Sequence, residues 1–144
     1  VAQTICGNKL EYKPGHWFNS AKFLDIEYQT YGWVFSERGM KENEAHFHWR
    51  HPQEKICITV AFNKETGQFL GINTFGIRMR HQVFDKWLTK QKSADHVIEH
   101  LADANFDPEF YKHHEADIVS KYNSDFGKSI NLKKKNLKRI FQLS

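Results

Sequence analysis

The sequence predicts an α+β domain, with an antiparallel meander sheet of three to five strands and helices packed on one face. Period-two hydrophobicity fills the first half, helical stripes fill the second, and a turn built on Asn63 and Gly67 joins two of the strand runs. With 144 residues, 40% of them hydrophobic and 15% aromatic, the chain has the size of one domain and enough apolar mass for a single core.

In chain order, Val1-Ala2-Gln3-Thr4-Ile5-Cys6-Gly7 reads as the last turns of a helix closed by a glycine cap. A chain opening on a helix tail is expected to be a fragment of something longer. Pro14-Gly15 marks a turn and a domain junction. From Phe23 to Phe35 aromatic and β-branched residues are dense, a strand signal broken near Gly32. Ser36 to Glu44 is a polar turn, Ala45 to Trp49 alternates, and Ile56, Ile58, Val60 and Phe62 form a strict alternating face. Asn63 opens the next turn, and Gly67 takes its left-handed position before Phe69-Leu70-Gly71-Ile72. Val83, Phe84, Trp87 and Leu88 then make the stripe of a short helix. Ser93 caps a second helix, with Ala94, Val97, Ile98, Leu101 and Ala102 inward. Asp107-Pro108-Glu109 is a helix start, with Phe106 placed to staple onto Tyr111, and Ile118, Val119 and Tyr122 continue a stripe to Gly127. This divides the chain into a linker arm (1–20), a compact domain (21–127) and a basic tail (128–144).

The net charge of +4 belongs to that tail. Residues 128–144 hold six basic and no acidic side chains, against 15 basic and 17 acidic in the rest. A basic tail around Lys133 to Arg139 makes a polyanion-binding module the alternative function, although no aromatic platform interleaves its lysines and nucleic acid is not the expected partner. No apolar run is long enough to cross a bilayer, and the expected location is the cytoplasm. Cys6 and Cys57 form no CxxC and are expected to be two buried free thiols.

Nine histidines raise the question of a metal. His96 and His100 stand four apart on a helix, but without the glutamate of an HExxH pattern they read as half-exposed surface histidines. His46, His48 and His51 are pushed toward solvent by the burial of Phe47 and Trp49, and His113 and His114 diverge on a helix. No metal ligand and no catalytic residue is assigned. There is no GxSxG elbow, no GxGxxG and no GxxxxGK[ST] loop.

Three segments together resemble the C-terminal domain of FAD-dependent pyridine-nucleotide oxidoreductases, the group of NADH:ferredoxin and rubredoxin reductases. Val1 to Gly7 is similar to the end of that family's GRxVAxxIxG helix, with Tyr12-Lys13-Pro14 as its linker. His16-Trp17-Phe18-Asn19-Ser20, followed by Ile26 to Gly32, looks like the family's PWFWS stretch and the strand reaching a glycine. Phe62-Asn63-Lys64-Glu65-Thr66-Gly67-Gln68-Phe69-Leu70-Gly71-Ile72-Asn73 looks like its hairpin. The resemblance covers residues 1 to 105, and residues 106–144 depart from it.

The resemblance implies an interface and flavin-covering domain, not catalytic as an isolated fragment, within an FAD-dependent NAD(P)H oxidoreductase. FAD and NAD(P)H would be bound by the parent and no cofactor by the fragment. The implied partners are the N-terminal FAD and NAD(P)H domains of the same chain, a second copy in a homodimer and a redox protein as acceptor. Trp17 and Phe18 are the implied flavin-side residues, Trp17 first.

Overall fold

The computed structural model describes residues 2–11, 13–106 and 112–133. The expectations that rest on Val1, Tyr12, Asp107-Pro108-Glu109, Tyr111 and the basic run beyond Lys133 lie outside the described residues.

The elements are α1 (Ala2–Ile5), β1 (Phe18–Phe23), β2 (Ile26–Gly32), β3 (Glu44–Arg50), β4 (Cys57–Asn63), β5 (Phe69–Phe75), α2 (His81–Thr89), α3 (Ala94–Glu99) and α4 (Glu115–Phe126), with a 3₁₀ turn at Leu101–Ala104. The Asn63–Gly67 turn forms as expected: the Asn63 side-chain oxygen accepts from the amides of Glu65 and Thr66, and Gly67 has φ +69°. Ser93 caps α3 by accepting from the amide of His96 at 3.2 Å. The stripe expected to run unbroken to Ala102 instead tightens after Glu99 into the 3₁₀ turn, which keeps Leu101 and Ala104 inward.

All strands are antiparallel, in the order β1-β2-β5-β4-β3. This corrects the meander. Strands β3, β4 and β5 follow one another as expected, but β2 pairs with β5, giving β2 to β5 a Greek-key order. The polar stretch expected to be a hairpin turn belongs to residues 33–43, which carry the chain past two strands to the far edge. Three strand spacings are about 14 Å, a short distance for a connection of that length. A second difference lies at the start, where Phe23 to Phe35 is not one strand. The chain reverses at Leu24 and Asp25, pairing Phe23 with Ile26 and Phe18 with Tyr31. Leu24 has φ +53°, and nothing in a leucine signals a reversal. Residues 18–20, read as linker, are therefore strand.

Opposed residues share a face, so the register defines two surfaces. One carries Tyr31, Ile72, Val60 and Phe47 in a single row, flanked by Ile58 and Trp49, all buried. Helices α2, α3 and α4 lie on it, against β2 and β5, β4, and β3 respectively. Phe84 stacks on Tyr31 at 4.8 Å and Tyr122 meets Phe47 edge-on at 5.0 Å. The Tyr31 hydroxyl donates to the Met79 carbonyl at 3.0 Å, and Gln29 accepts from the Met79 amide at 2.8 Å, which anchors the chain entering α2.

Beside this core, Asp95 ties α3 to α4. It accepts from the Tyr122 hydroxyl at 2.7 Å and from the Lys128 ammonium at 2.6 Å. Partial burial works against the Asp95 carboxylate, but these two donors outweigh it and hold its pKa below the ordinary value. A carboxylate with a depressed folded-state pKa stabilises above the unfolded pKa and loses that contribution as pH falls through the folded one. Asp95→Asn is therefore expected to cost about 0.5–1 kcal/mol at pH 7, given the screening of a partly exposed pair, in denaturant titrations. The difference from the unaltered protein should disappear below the usual aspartate range.

Strands β2 and β5 leave no room for a side chain at Gly32 and Gly71, which are paired in register. A Cβ on Gly71 would lie 2.7 Å from Trp33 N and Tyr31 O, and one on Gly32 would lie 2.3 Å from Leu70 O. Gly32 also has φ +70°. Gly32→Ala is expected to lower stability by about 2–3 kcal/mol, combining left-handed strain with backbone overlap, whereas Gly67→Ala, with nothing near its Cβ, should cost about 1 kcal/mol.

Candidate uncovered sheet face

The second surface of the sheet carries no helix among the described residues. Its rows are Tyr28–Phe75–Cys57–Arg50, then Thr30–Asn73–Thr59–His48, then Gly32–Gly71–Ala61–His46. The middle row is a polar band held by its own bonds: Thr30 donates to Asn73 at 2.7 Å, His48 meets Thr59 at 2.9 Å, and Thr30 also contacts the Tyr28 hydroxyl. A groove of about 340 Å³ lies at one end, among Ile26, Arg50, Cys57 and Phe75. Another, of about 350 Å³, lies at the opposite end, among Trp33, Phe35, Glu44 and Leu70.

The second end holds the aromatic residues of interest. Gly32 N–H donates to the Trp17 carbonyl at 2.8 Å, which extends the β1–β2 ladder by one residue. The left-handed turn of Gly32 then breaks the alternation, and Trp33, held by its amide to Leu70 O at 3.0 Å, swings beside Trp17. Trp17 and Trp33 stack at 5.7 Å, and Trp33 and Phe35 at 5.9 Å with planes only 6° apart. These side chains are 50%, 57% and 36% exposed, a ladder of rings lying open to water.

Trp17 and Phe18 do not share a surface. Adjacent residues in extended chain point to opposite sides, and Phe18 packs with the helices, 5.0 Å from Tyr31 and 4.2 Å from His81. Of the two residues implied by the resemblance, Trp17 stands at the uncovered face and Phe18 braces the core edge behind it. Sequence reasoning passed over Trp33 and Phe35 as site residues. Their signal was present, since two large aromatics at i and i+2 follow a glycine that breaks a strand.

The remaining candidates separate. Cys57 is half-buried, and its burial, only partly offset by Arg50, raises the thiol pKa, so the side chain is a protonated thiol at neutral pH. Cys6 is exposed, which corrects the expectation that both thiols are buried. Helix α1 does not cover it. His46 lies in the row of Gly32, Gly71 and Ala61, and its buried Nε2 has no hydrogen-bond partner among the described residues. His51 accepts from the amides of Gln53 and Glu54 and sits 5.2 Å from His114, whose pKa is lowered by burial and by His51. His113 lies 3.4 Å from Glu115, and His96 and His100 lie at the end of α3. No described helix is long and apolar enough to cross a membrane. The uncovered face offers a flat apolar wall with a polar band, which suits packing and exclusion of water rather than nucleophilic attack.

No family model matches the sequence, and no curated protein matches it. Solved structures do. An NAD-dependent persulfide reductase from A. fulgidus is 16% identical, with a TM-score of 0.51 over 85% of this chain and 24% of its own. The reduced CoADR-RHD of Bacillus anthracis is 20% identical, with a TM-score of 0.49 over 85% of this chain and 24% of its own. The chain thus spans about a quarter of the length of either. The likeness to the first is one of fold.

If the ring ladder is a unit, its members are coupled. A double-mutant cycle of Trp17→Ala and Trp33→Ala, followed by chemical denaturation, is expected to give an interaction energy of about 0.5–1.5 kcal/mol. Phe18→Ala with Trp33→Ala should be additive.

Proposed function

We propose that this chain is the C-terminal interface and flavin-covering domain of an FAD-dependent NAD(P)H oxidoreductase, and that it performs no catalysis by itself. One observation carries the reading: a sheet filled by helices on one side presents, on the other, a face that no helix among the described residues covers and that ends in the exposed Trp17–Trp33–Phe35 ladder. Apolar area of this kind is kept where another surface will bury it.

The ladder suits one wall of a flavin site and no more. It is flat and apolar, whereas the chain offers no glycine-rich loop for a pyrophosphate. FAD and NAD(P)H would therefore be held by the N-terminal domains of the same parent chain, and FAD would supply the hydride chemistry there. Trp17 would lie nearest the ring system, with Trp33 fixing its plane and Phe18 fixing its backbone through Tyr31 and His81. Such a wall excludes water and limits the loss of reducing equivalents to oxygen. The remaining uncovered face, from Tyr28 to Arg50, would pack against the flavin-bearing domains or a second copy in a homodimer. A redox protein is the proposed electron acceptor.

The isolated 144 residues are expected to purify without colour, and the reading frame before Val1 is expected to encode a GxGxxG strand–turn–helix segment. A chain that retains flavin alone, or a frame without that segment, would contradict the assignment. In the parent enzyme, Trp17→Ala should raise oxygen consumption per NAD(P)H oxidised, measured with an oxygen electrode, while Trp87→Phe in the helix layer should not.

A further inference from the structure

The end of α3 carries a second constellation that the uncovered face does not involve. Residues 96–100 read His-Val-Ile-Glu-His, which places a carboxylate at i+3 between imidazoles at i and i+4, all on one side of the helix. The pattern escapes a search for HExxH because the glutamate stands next to the second histidine rather than the first.

The structure brings the three together. One donor atom from each of His96, Glu99 and His100 lies within 4.8 Å of the other two, and the imidazole rings stack at 4.0 Å. We propose that these residues form a three-ligand site for a borderline divalent cation of the zinc type. Zinc–nitrogen and zinc–oxygen bonds of about 2.0–2.2 Å set donors about 3.4 Å apart in a tetrahedron, so closing on the ion asks for side-chain rotations and no backbone movement. Both imidazoles and the carboxylate are half-buried, which leaves them that freedom.

Two further features fit a metal. His100 Nδ1 lies 2.9 Å from the His96 carbonyl oxygen. A carbonyl only accepts, so Nδ1 carries the hydrogen and the lone pair of the neutral ring is on Nε2, the arrangement by which outer carbonyls orient ligating histidines. His96 and His100 also line an open cleft of about 420 Å³, so water can reach the ion as a fourth donor from that side. Glu99 already attracts a cation: the Lys133 ammonium lies 3.5 Å from its carboxylate, and the Lys133 amide donates to its carbonyl at 2.9 Å. An entering ion would take the place of the lysine head. Lys86, Lys90 and Lys92 in the cleft, together with Lys133, oppose a divalent charge, which makes the site one of moderate affinity rather than a structural trap.

Calorimetric titration of the metal-stripped chain with Zn²⁺ alone tests this. One ion is expected to bind per chain. His96→Ala and His100→Ala should each weaken binding by about tenfold or more, Glu99→Gln should weaken it less, and Lys133→Gln should tighten it. His46→Ala with His48→Ala should leave it unchanged. Melting of each variant without metal checks that it folds, and Co²⁺ absorption of the unaltered chain reports nitrogen ligation independently of any substitution. Absence of Zn²⁺ binding, or binding that survives the His96→Ala/His100→Ala pair, would overturn the proposal.

Discussion

The arrangement depends on the contact between β2 and β5 at Gly32 and Gly71. Two opposed glycines let the strands meet where any side chain would strike backbone at 2.3–2.7 Å. That contact seats β2 beside β5 and so forces the 33–43 connection to travel to the far edge. It also aligns Tyr31 with Ile72 and Val60, the row on which α2 and α3 rest. The positive φ of Gly32 then rotates Trp33 out of the strand's alternation and onto Trp17. Topology, core and ring ladder share one cause.

From it follows the inequality of the two sheet faces. On the helix side, Tyr31, Gln29 and Asp95 bond the helical half to the sheet and to itself, although the buried Nδ1 of His81 has no partner among the described residues. On the other side, among the described residues, the Thr30–Asn73, Thr30–Tyr28 and His48–Thr59 contacts occupy polar groups, while Trp17, Trp33 and Phe75 stay open and His46 Nε2 lacks a partner. A sheet half-covered in this way is suited to completion by another domain. The proposed place in a larger flavoprotein rests on this inequality, and the chain shares its fold with a solved structure that it matches over about a quarter of that structure's length.

Local chemistry was the part legible from sequence. Asn63 and Gly67 announce their turn, Ser93 announces a cap, and the alternation of Ile58, Val60 and Phe62 announces a strand, because each acts through neighbours in the chain. The order of strands was not legible, since the partner of β2 is chosen by a glycine pair thirty-nine positions apart in sequence. The β1–β2 reversal was hidden by Leu24, a residue with no turn signature. Pairing of Trp17 with Trp33 likewise became visible only when backbone geometry placed them, whereas the His96, Glu99 and His100 grouping is already implied by their i, i+3, i+4 spacing. Trp17 could be singled out by resemblance, but its separation from Phe18 across the sheet needed the register.

The central claim is that the helix-free face is buried in a parent enzyme. Hydroxyl-radical footprinting of Trp17, Trp33 and Phe75, in the isolated chain and in the parent protein, tests it most directly. The account predicts strong labelling of all three in the isolated chain, where Leu24, almost fully exposed at the β1–β2 turn, gives the reference level, and protection of the three in the parent. Equal labelling of Trp17 and Trp33 in both proteins would contradict it.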